Sequence, residues 1–144
     1  MDATAATPLP AAILPYADRF AEIAAAGGDA RASVLAAAKA MLADSAKDLE
    51  ARFMDGLPAL QAMRERSEVM DAVIAALLDY AATRVFPAAN PSTGERFSAL
   101  AVGGYGRGSL APFSDIDLLF LTPYKRASRV EQMVEYILYL LWDL

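Results

Sequence analysis

The chain has 144 residues, 56% of them hydrophobic, and carries 18 acidic against 13 basic residues for a formal net charge of −5. It contains no histidine and no cysteine, which excludes Ser-His-Asp triads, Cys-His pairs, histidine metal sites, disulfides and zinc ribbons. The acidic balance argues against a protein that follows nucleic acid by neutralising its phosphates. Because the sequence shows neither a long apolar span nor a signal peptide, we expect a cytoplasmic protein without nucleic-acid or membrane partners.

The first two thirds of the sequence repeat apolar residues every three to four positions, the period of amphipathic helices. Glycines follow the first two of these segments and Pro87 follows the third, as expected at helix ends. Three helices are therefore predicted, over 11–26, 30–53 and 58–86. Together they indicate a helical hairpin or a small bundle.

A change of pattern occurs at 87–94, where two prolines stand with Asn, Ser, Thr and Gly. This composition is typical of a loop, and we predict a boundary there between a helical N-terminal region, 1–94, and a second unit, 95–144. Beyond it the apolar runs 97–102 and 116–121 predict two strands, each buried on both faces. A final helix is predicted with Ser128 as its N-cap. Its apolar pattern still continues at Leu144, which we interpret as the sign of a piece of a longer protein.

Four glycines follow the first predicted strand, Gly103, Gly104, Gly106 and Gly108. Glycine permits unusual backbone angles, so successive N–H groups can converge on an anion such as a phosphate, and the hydroxyl of Ser109 adds a potential donor. For the loop taken alone, a plain glycine-rich turn between a strand and a short helix is the favoured interpretation. The spacing matches neither the Walker loop nor the dinucleotide-binding G-x-G-x-x-G motif.

Two carboxylates, Asp115 and Asp117, stand at the start of the second predicted strand. The two-residue period of a strand directs both to one side, about 7 Å apart along the backbone. Carboxylates in this arrangement suit Mg²⁺ and two-metal phosphoryl chemistry. A solvated strand entrance is the alternative for the pair alone, but the conjunction with a glycine loop favours catalysis by nucleotidyl transfer.

The single arginine of the loop, Arg107, has two open interpretations. Its guanidinium can neutralise a phosphate or a departing pyrophosphate. It can equally form an ion pair with a nearby carboxylate, Asp115 or Asp117 among them. Tyr105, beside it in the loop, is interpreted as a packing residue.

Taken together, segment 102–121 resembles the nucleotidyltransferase signature of the polymerase-β superfamily, in which a hydrophobic residue and Gly-Gly precede Asp-x-Asp. Within that superfamily it is similar to the bacterial PII uridylyltransferase family. The similarity lies in Gly-Gly-Tyr-Gly-Arg-Gly at 103–108, Ser-Asp-Ile-Asp at 114–117 and the apolar end at 138–144. It covers about the last fifty residues of the chain well and the helical start only in kind.

This resemblance implies an α/β, polymerase-β-like nucleotidyltransferase fold, of which 95–144 would supply the first two strands. It implies transfer of UMP from UTP to a tyrosine of the nitrogen-regulatory protein PII, with release of pyrophosphate. Asp115 and Asp117 would be the catalytic, Mg²⁺-binding residues. The nucleotide-binding residues would be Gly103, Gly104, Arg107, Gly108 and Ser109, the last standing where many members have Glu.

The resemblance also implies parts that this chain does not contain. The family's third carboxylate and its histidine-bearing hydrolase domain would follow Leu144, so uridylyl removal is expected only in the full-length protein. The chain alone is accordingly at risk of being inactive.

Two alternatives stay open from the sequence. One is a glutamine synthetase adenylyltransferase-like enzyme, against which the Tyr-Gly-Arg-Gly of 105–108 argues because that family typically has a Lys-Leu-Gly-Gly type of loop. The other is a non-catalytic helical module that binds a partner protein or supports a larger enzyme. Mg²⁺-dependent binding of UTP distinguishes an enzyme from such a module.

Overall fold

A computed structural model describes residues 22–23, 30–88, 92–124 and 127–144. The described elements are, in chain order, the helices and strands α1 (Arg31–Met54), α2 (Ala59–Tyr80), a π-helical turn (Ala81–Val85), a 3-10 turn (Thr93–Glu95), β1 (Ser98–Ala101), α3 (Gly103–Gly106), β2 (Leu118–Leu121) and α4 (Ser128–Trp142). The helix predicted over 11–26 lies outside the described residues apart from 22–23. Within the described part of the chain, no helix has the length and apolarity that a membrane crossing requires.

Helices α1 and α2 form the predicted helical hairpin. Gly56 allows the tight connection because it adopts a φ of 103°, which residues with a Cβ atom rarely take. Arg52 near the end of α1 donates two hydrogen bonds to the Glu65 carboxylate of α2, at 2.6 and 2.9 Å. Between the helices lies a core cluster of buried side chains, Ala30, Val34, Ala38, Met41, Val69, Val73, Leu77 and Tyr80, to which Leu140 of α4 also belongs.

Helix α4 packs against the end of this hairpin. Its Met133 and Ile137 form a second buried cluster with Ala81 of the π-helical turn. At the start of α4, Arg129 donates from Nε to the carbonyl of Phe86 at 2.8 Å and so satisfies a carbonyl at the end of the π-helical turn. The predicted N-cap is wrong by one residue: Ala127 is the N-cap, without a side-chain capping bond, and Ser128 is the first helical residue.

The two strands form an antiparallel sheet in which Ala99 pairs with Phe120 and Ala101 with Leu118. These four residues are half-buried and face the helices, whereas Leu119 and Leu121 are 47% and 52% exposed. The prediction that both faces of each strand are buried is therefore wrong for the described chain, since no described element packs on the outer face. Helices with a small sheet agree with the predicted α/β class in its coarse form.

Candidate active site

The glycine segment forms a single helical turn, α3, directly after β1. Val102 keeps an extended backbone, and Gly103 then reverses the chain direction with a φ of 62°. At Gly106 an added Cβ atom would stand 2.5 Å from the Ala101 carbonyl oxygen. The turn therefore lies backbone to backbone against the end of β1, an approach that only glycine permits at this position.

Most amides in the second half of the loop are already used within it. The amides of Gly106 and Gly108 donate to the Val102 and Tyr105 carbonyls, at 2.8 and 2.9 Å, and that of Arg107 donates to the Gly104 carbonyl at 3.2 Å. The amide and the hydroxyl of Ser109 both donate to the Gly104 carbonyl at 3.2 Å. Ser109 thus closes the loop on itself. The amides at 103–105 have no acceptor among the described residues, so these three are the ones available to an anion.

Asp117 lies directly over the turn. An added Cβ atom at Gly103 would stand 2.5 Å from the Asp117 Oδ2 atom. The strand register explains this approach, because the Val102 amide donates to the Asp117 carbonyl at 3.0 Å and so continues the β1–β2 pairing by one residue. The glycine turn and the Asp-x-Asp motif, predicted to be adjacent, do meet at this point.

Asp115 lies two residues before Asp117, in the segment that leads into β2. The strand itself begins at Leu118, two residues later than the run predicted from the sequence, so the two acids precede the strand. Both are exposed, and neither forms an ion pair with a described residue.

The fit of this pair to a divalent cation follows from these contacts. Two exposed carboxylates with no cationic partner among the described residues, one of them held over Gly103, carry oxygen atoms of the kind that Mg²⁺ prefers as ligands. Among the described residues, no group of three acidic, histidine or cysteine side chains is arranged to hold a metal ion. The described residues therefore contain two carboxylates of the type that Mg²⁺ prefers and no complete set of ligands.

Arg107 is exposed and follows the turn. Its Nη2 atom lies 3.9 Å from the position of a Cβ atom added at Gly104, so the guanidinium lies along the turn. Within the described part of the chain it makes no ion pair. Of its two interpretations, the ion pair with Asp115 or Asp117 is not found, and the guanidinium is available to an anionic ligand.

Comparison with known proteins tests the resemblance to uridylyltransferases that the sequence motifs indicate. The chain is 48% identical over 118 residues to the bifunctional uridylyltransferase/uridylyl-removing enzyme of Azospirillum brasilense, which covers 82% of this chain and 13% of that protein. Proteins of the same name from Caulobacter vibrioides (strain NA1000 / CB15N) and Rhodospirillum rubrum are 56% identical over 93 residues and 47% identical over 115 residues. These matches cover 65% and 79% of this chain, and 10% and 12% of the respective relatives.

The predicted resemblance is confirmed. The chain is similar to a segment of bifunctional uridylyltransferase/uridylyl-removing enzymes, and it spans only 10 to 13% of the length of these relatives. No family model matches the chain. No solved structure matches it either, so the polymerase-β-like form of the fold stays a prediction.

A buried tyrosine in the middle of the turn was interpreted from the sequence as packing alone, and the structure gives it a polar contact as well. The Tyr105 hydroxyl donates to the Asp71 carboxylate of α2, and the residue is only 4% exposed. Burial and this hydrogen bond raise the pKa of Tyr105 well above its usual range. One turn earlier on α2, buried Ser67 accepts a hydrogen bond from the Leu110 amide at 3.1 Å.

The signal for these contacts is present in the sequence but weak. Ser67 and Asp71 are polar residues four positions apart beside an apolar helix face that contains Met70 and Ile74. Residues four apart lie on one face of a helix, so a polar pair there indicates a docked partner. Nothing in the sequence shows that the partner is the glycine loop, more than thirty positions away.

Proposed function

We propose that this chain provides the nucleotide- and metal-binding part of an enzyme that transfers UMP from UTP to a tyrosine of PII and releases pyrophosphate. The observation that carries the proposal is the placement of the Asp117 carboxylate over the Gly103 turn. A phosphate-binding loop and a metal-binding carboxylate must adjoin for nucleotidyl transfer. The names of the curated relatives support the uridylyl group as the one transferred.

Each residue of the site has a role in this proposal. Asp115 and Asp117 would hold Mg²⁺, which would supply Lewis-acid chemistry by neutralising phosphate charge, making an attacking hydroxyl more acidic and stabilising the departing pyrophosphate. The turn at 103–105 offers its unused amides to the triphosphate. Arg107 neutralises phosphate charge from the solvent side, and Gly108 with Ser109 holds the loop closed.

We assign the second activity in the relatives' name, uridylyl removal, to residues outside this chain. A histidine-based hydrolase site requires histidines, and the chain contains none. The proposal therefore concerns transfer only, in a cytoplasmic protein whose partners are UTP and PII.

The test is transfer from UTP labelled in its α-phosphate to purified PII, measured with the protein as its gene encodes it. Asp115→Asn with Asp117→Asn is expected to abolish Mg²⁺-dependent labelling of PII. Asp55→Asn with Asp79→Asn is the matched control, because it removes the same charge from exposed positions of the helical hairpin and its connection. Labelling that survives in the first double variant would contradict the proposal, as would equal use of ATP and UTP.

A further inference from the structure

The four-residue turn Gly103–Gly106 has only one side chain beyond a hydrogen atom, that of Tyr105. Three glycines make such a turn costly to order, because glycine loses more conformational freedom on folding than any other residue. Among the residues of the turn itself, Tyr105 alone can therefore anchor it through a side chain, in addition to the hydrogen bond that Ser109 donates to the Gly104 carbonyl from outside the turn. The conformation of the turn therefore depends strongly on the contacts of Tyr105.

The ring of Tyr105 is held in an apolar cluster under the turn. Its buried partners are Met70 and Ile74 of α2 and Leu110 beyond the loop, and Leu110 is 1% exposed. Burial of an aromatic ring fixes its position, and hence the backbone that carries it. The turn is thus fastened to α2 and not to the sheet alone.

The hydroxyl of Tyr105 adds a directional hydrogen bond to this attachment. It reaches the Asp71 carboxylate at the exposed edge of α2, and a hydrogen bond to a charged acceptor is among the stronger ones. The second attachment, from the Leu110 amide to Ser67 Oγ, lies one helical turn away on the same helix. Ser67 is itself fixed, because its hydroxyl donates to the Met63 carbonyl at 3.0 Å.

We propose that Tyr105 and Asp71 are positioning residues that hold the glycine turn in the conformation that receives the nucleotide, so that the helical hairpin sets the affinity for UTP. The inference rests on the proposed function for its substrate. In this proposal Tyr105 and Asp71 contact neither the substrate nor a metal. They act by keeping the amides at 103–105 and the Gly103 backbone under Asp117 in place.

The experiment compares Tyr105→Phe and Asp71→Ala with the unaltered protein in the full chain as encoded, using UTP, Mg²⁺ and PII. Both variants are expected to raise KM for UTP about tenfold, the loss that accompanies removal of a hydrogen bond to a charged acceptor. KM for PII is expected to stay within twofold. Asp71→Asn keeps an oxygen acceptor for the hydroxyl and is expected to restore most of the UTP affinity.

Matched controls separate positioning from general destabilisation. Tyr80→Phe removes the hydroxyl of another buried tyrosine on α2, and Asp79→Ala removes another exposed carboxylate there. Both are expected to leave KM for UTP unchanged. The inference is overturned if the controls raise it equally, or if Tyr105→Phe and Asp71→Ala lower Tm and specific activity with both KM values unchanged.

A second measurement does not depend on activity. Amide hydrogen exchange of the peptide that contains 103–110 is expected to quicken at least fivefold in Tyr105→Phe, but not in Tyr80→Phe, because opening of the turn exposes its bonded amides. Unchanged exchange would overturn the inference. If the unaltered protein transfers nothing from UTP while exchange responds as expected, the proposed function falls and the attachment of the turn to α2 stands.

Discussion

Replacing Gly103 by alanine is expected to separate the two halves of the candidate site. The new Cβ atom would occupy a backbone position with a φ of 62°, which costs an L-residue about 1–2 kcal/mol. It would also stand 2.5 Å from Asp117 Oδ2, so the carboxylate must move by about 1 Å to reach ordinary van der Waals separation. A displacement of that size in a reacting group lowers transfer by about a hundredfold.

The control for backbone strain is Gly56→Ala. Gly56 also has a positive φ, 103°, but an added Cβ atom there meets nothing within 4 Å and lies in the α1–α2 connection. Urea unfolding of both variants measures the cost of strain, and Mg²⁺-dependent transfer from UTP measures the displacement of Asp117. If Gly103→Ala transfers UMP as fast as Gly56→Ala at equal stability, the contact between the turn and Asp117 is not part of the site.

Three further outcomes are expected. Because the folded state holds Tyr105 protonated, the free energy of unfolding should fall above pH 10 by up to about 1.4 kcal/mol per pH unit, and Tyr105→Phe should remove that contribution in alkaline unfolding curves; identical slopes would refute it. The hydrogen bond from Arg52 lowers the pKa of Glu65. The stabilisation that this bond gives the folded state is therefore present at neutral pH and is lost as the pH falls through the lowered pKa of Glu65. Glu65→Gln should therefore destabilise the protein at pH 7, and urea titrations of the two chains should converge once the pH lies below the lowered pKa of Glu65. Phe113 is fully exposed with a φ of 62°, and Phe113→Gly should raise the free energy of unfolding by up to about 1 kcal/mol; a loss would show that its side chain makes a contact worth more than the strain.

The helices of the hairpin could be predicted because their signals are local. The period of apolar residues placed the first described helix at 30–53, and it is found at Arg31–Met54. The strand runs 97–102 and 116–121 contain the observed Ser98–Ala101 and Leu118–Leu121. In these segments local propensity and tertiary packing favour the same structure.

The expectation that both faces of each strand are buried was wrong. A short apolar run predicts burial but does not show what covers it, and Leu119 and Leu121 lie on a face that no described element covers. The proximity of Gly103 to Asp117 was predicted from the order of the two motifs. The close contact between them depends on the strand register, which the sequence does not show. The contact of Tyr105 with Asp71 joins residues 34 positions apart, a separation at which the sequence pattern does not identify the partner.

The hydrogen bond from Val102 to the Asp117 carbonyl gives the site a particular tolerance to change. The connection between the strands leaves the sheet at Val102 and returns to it at Asp117, so both of its ends are fixed by one backbone pair. Insertions or deletions between 111 and 114 would lengthen or shorten the exposed part of that connection without parting Gly103 from Asp117. Evolution can therefore vary this exposed connection while Gly103 and Asp117, on which the proposed phosphate and metal sites depend, keep their spacing.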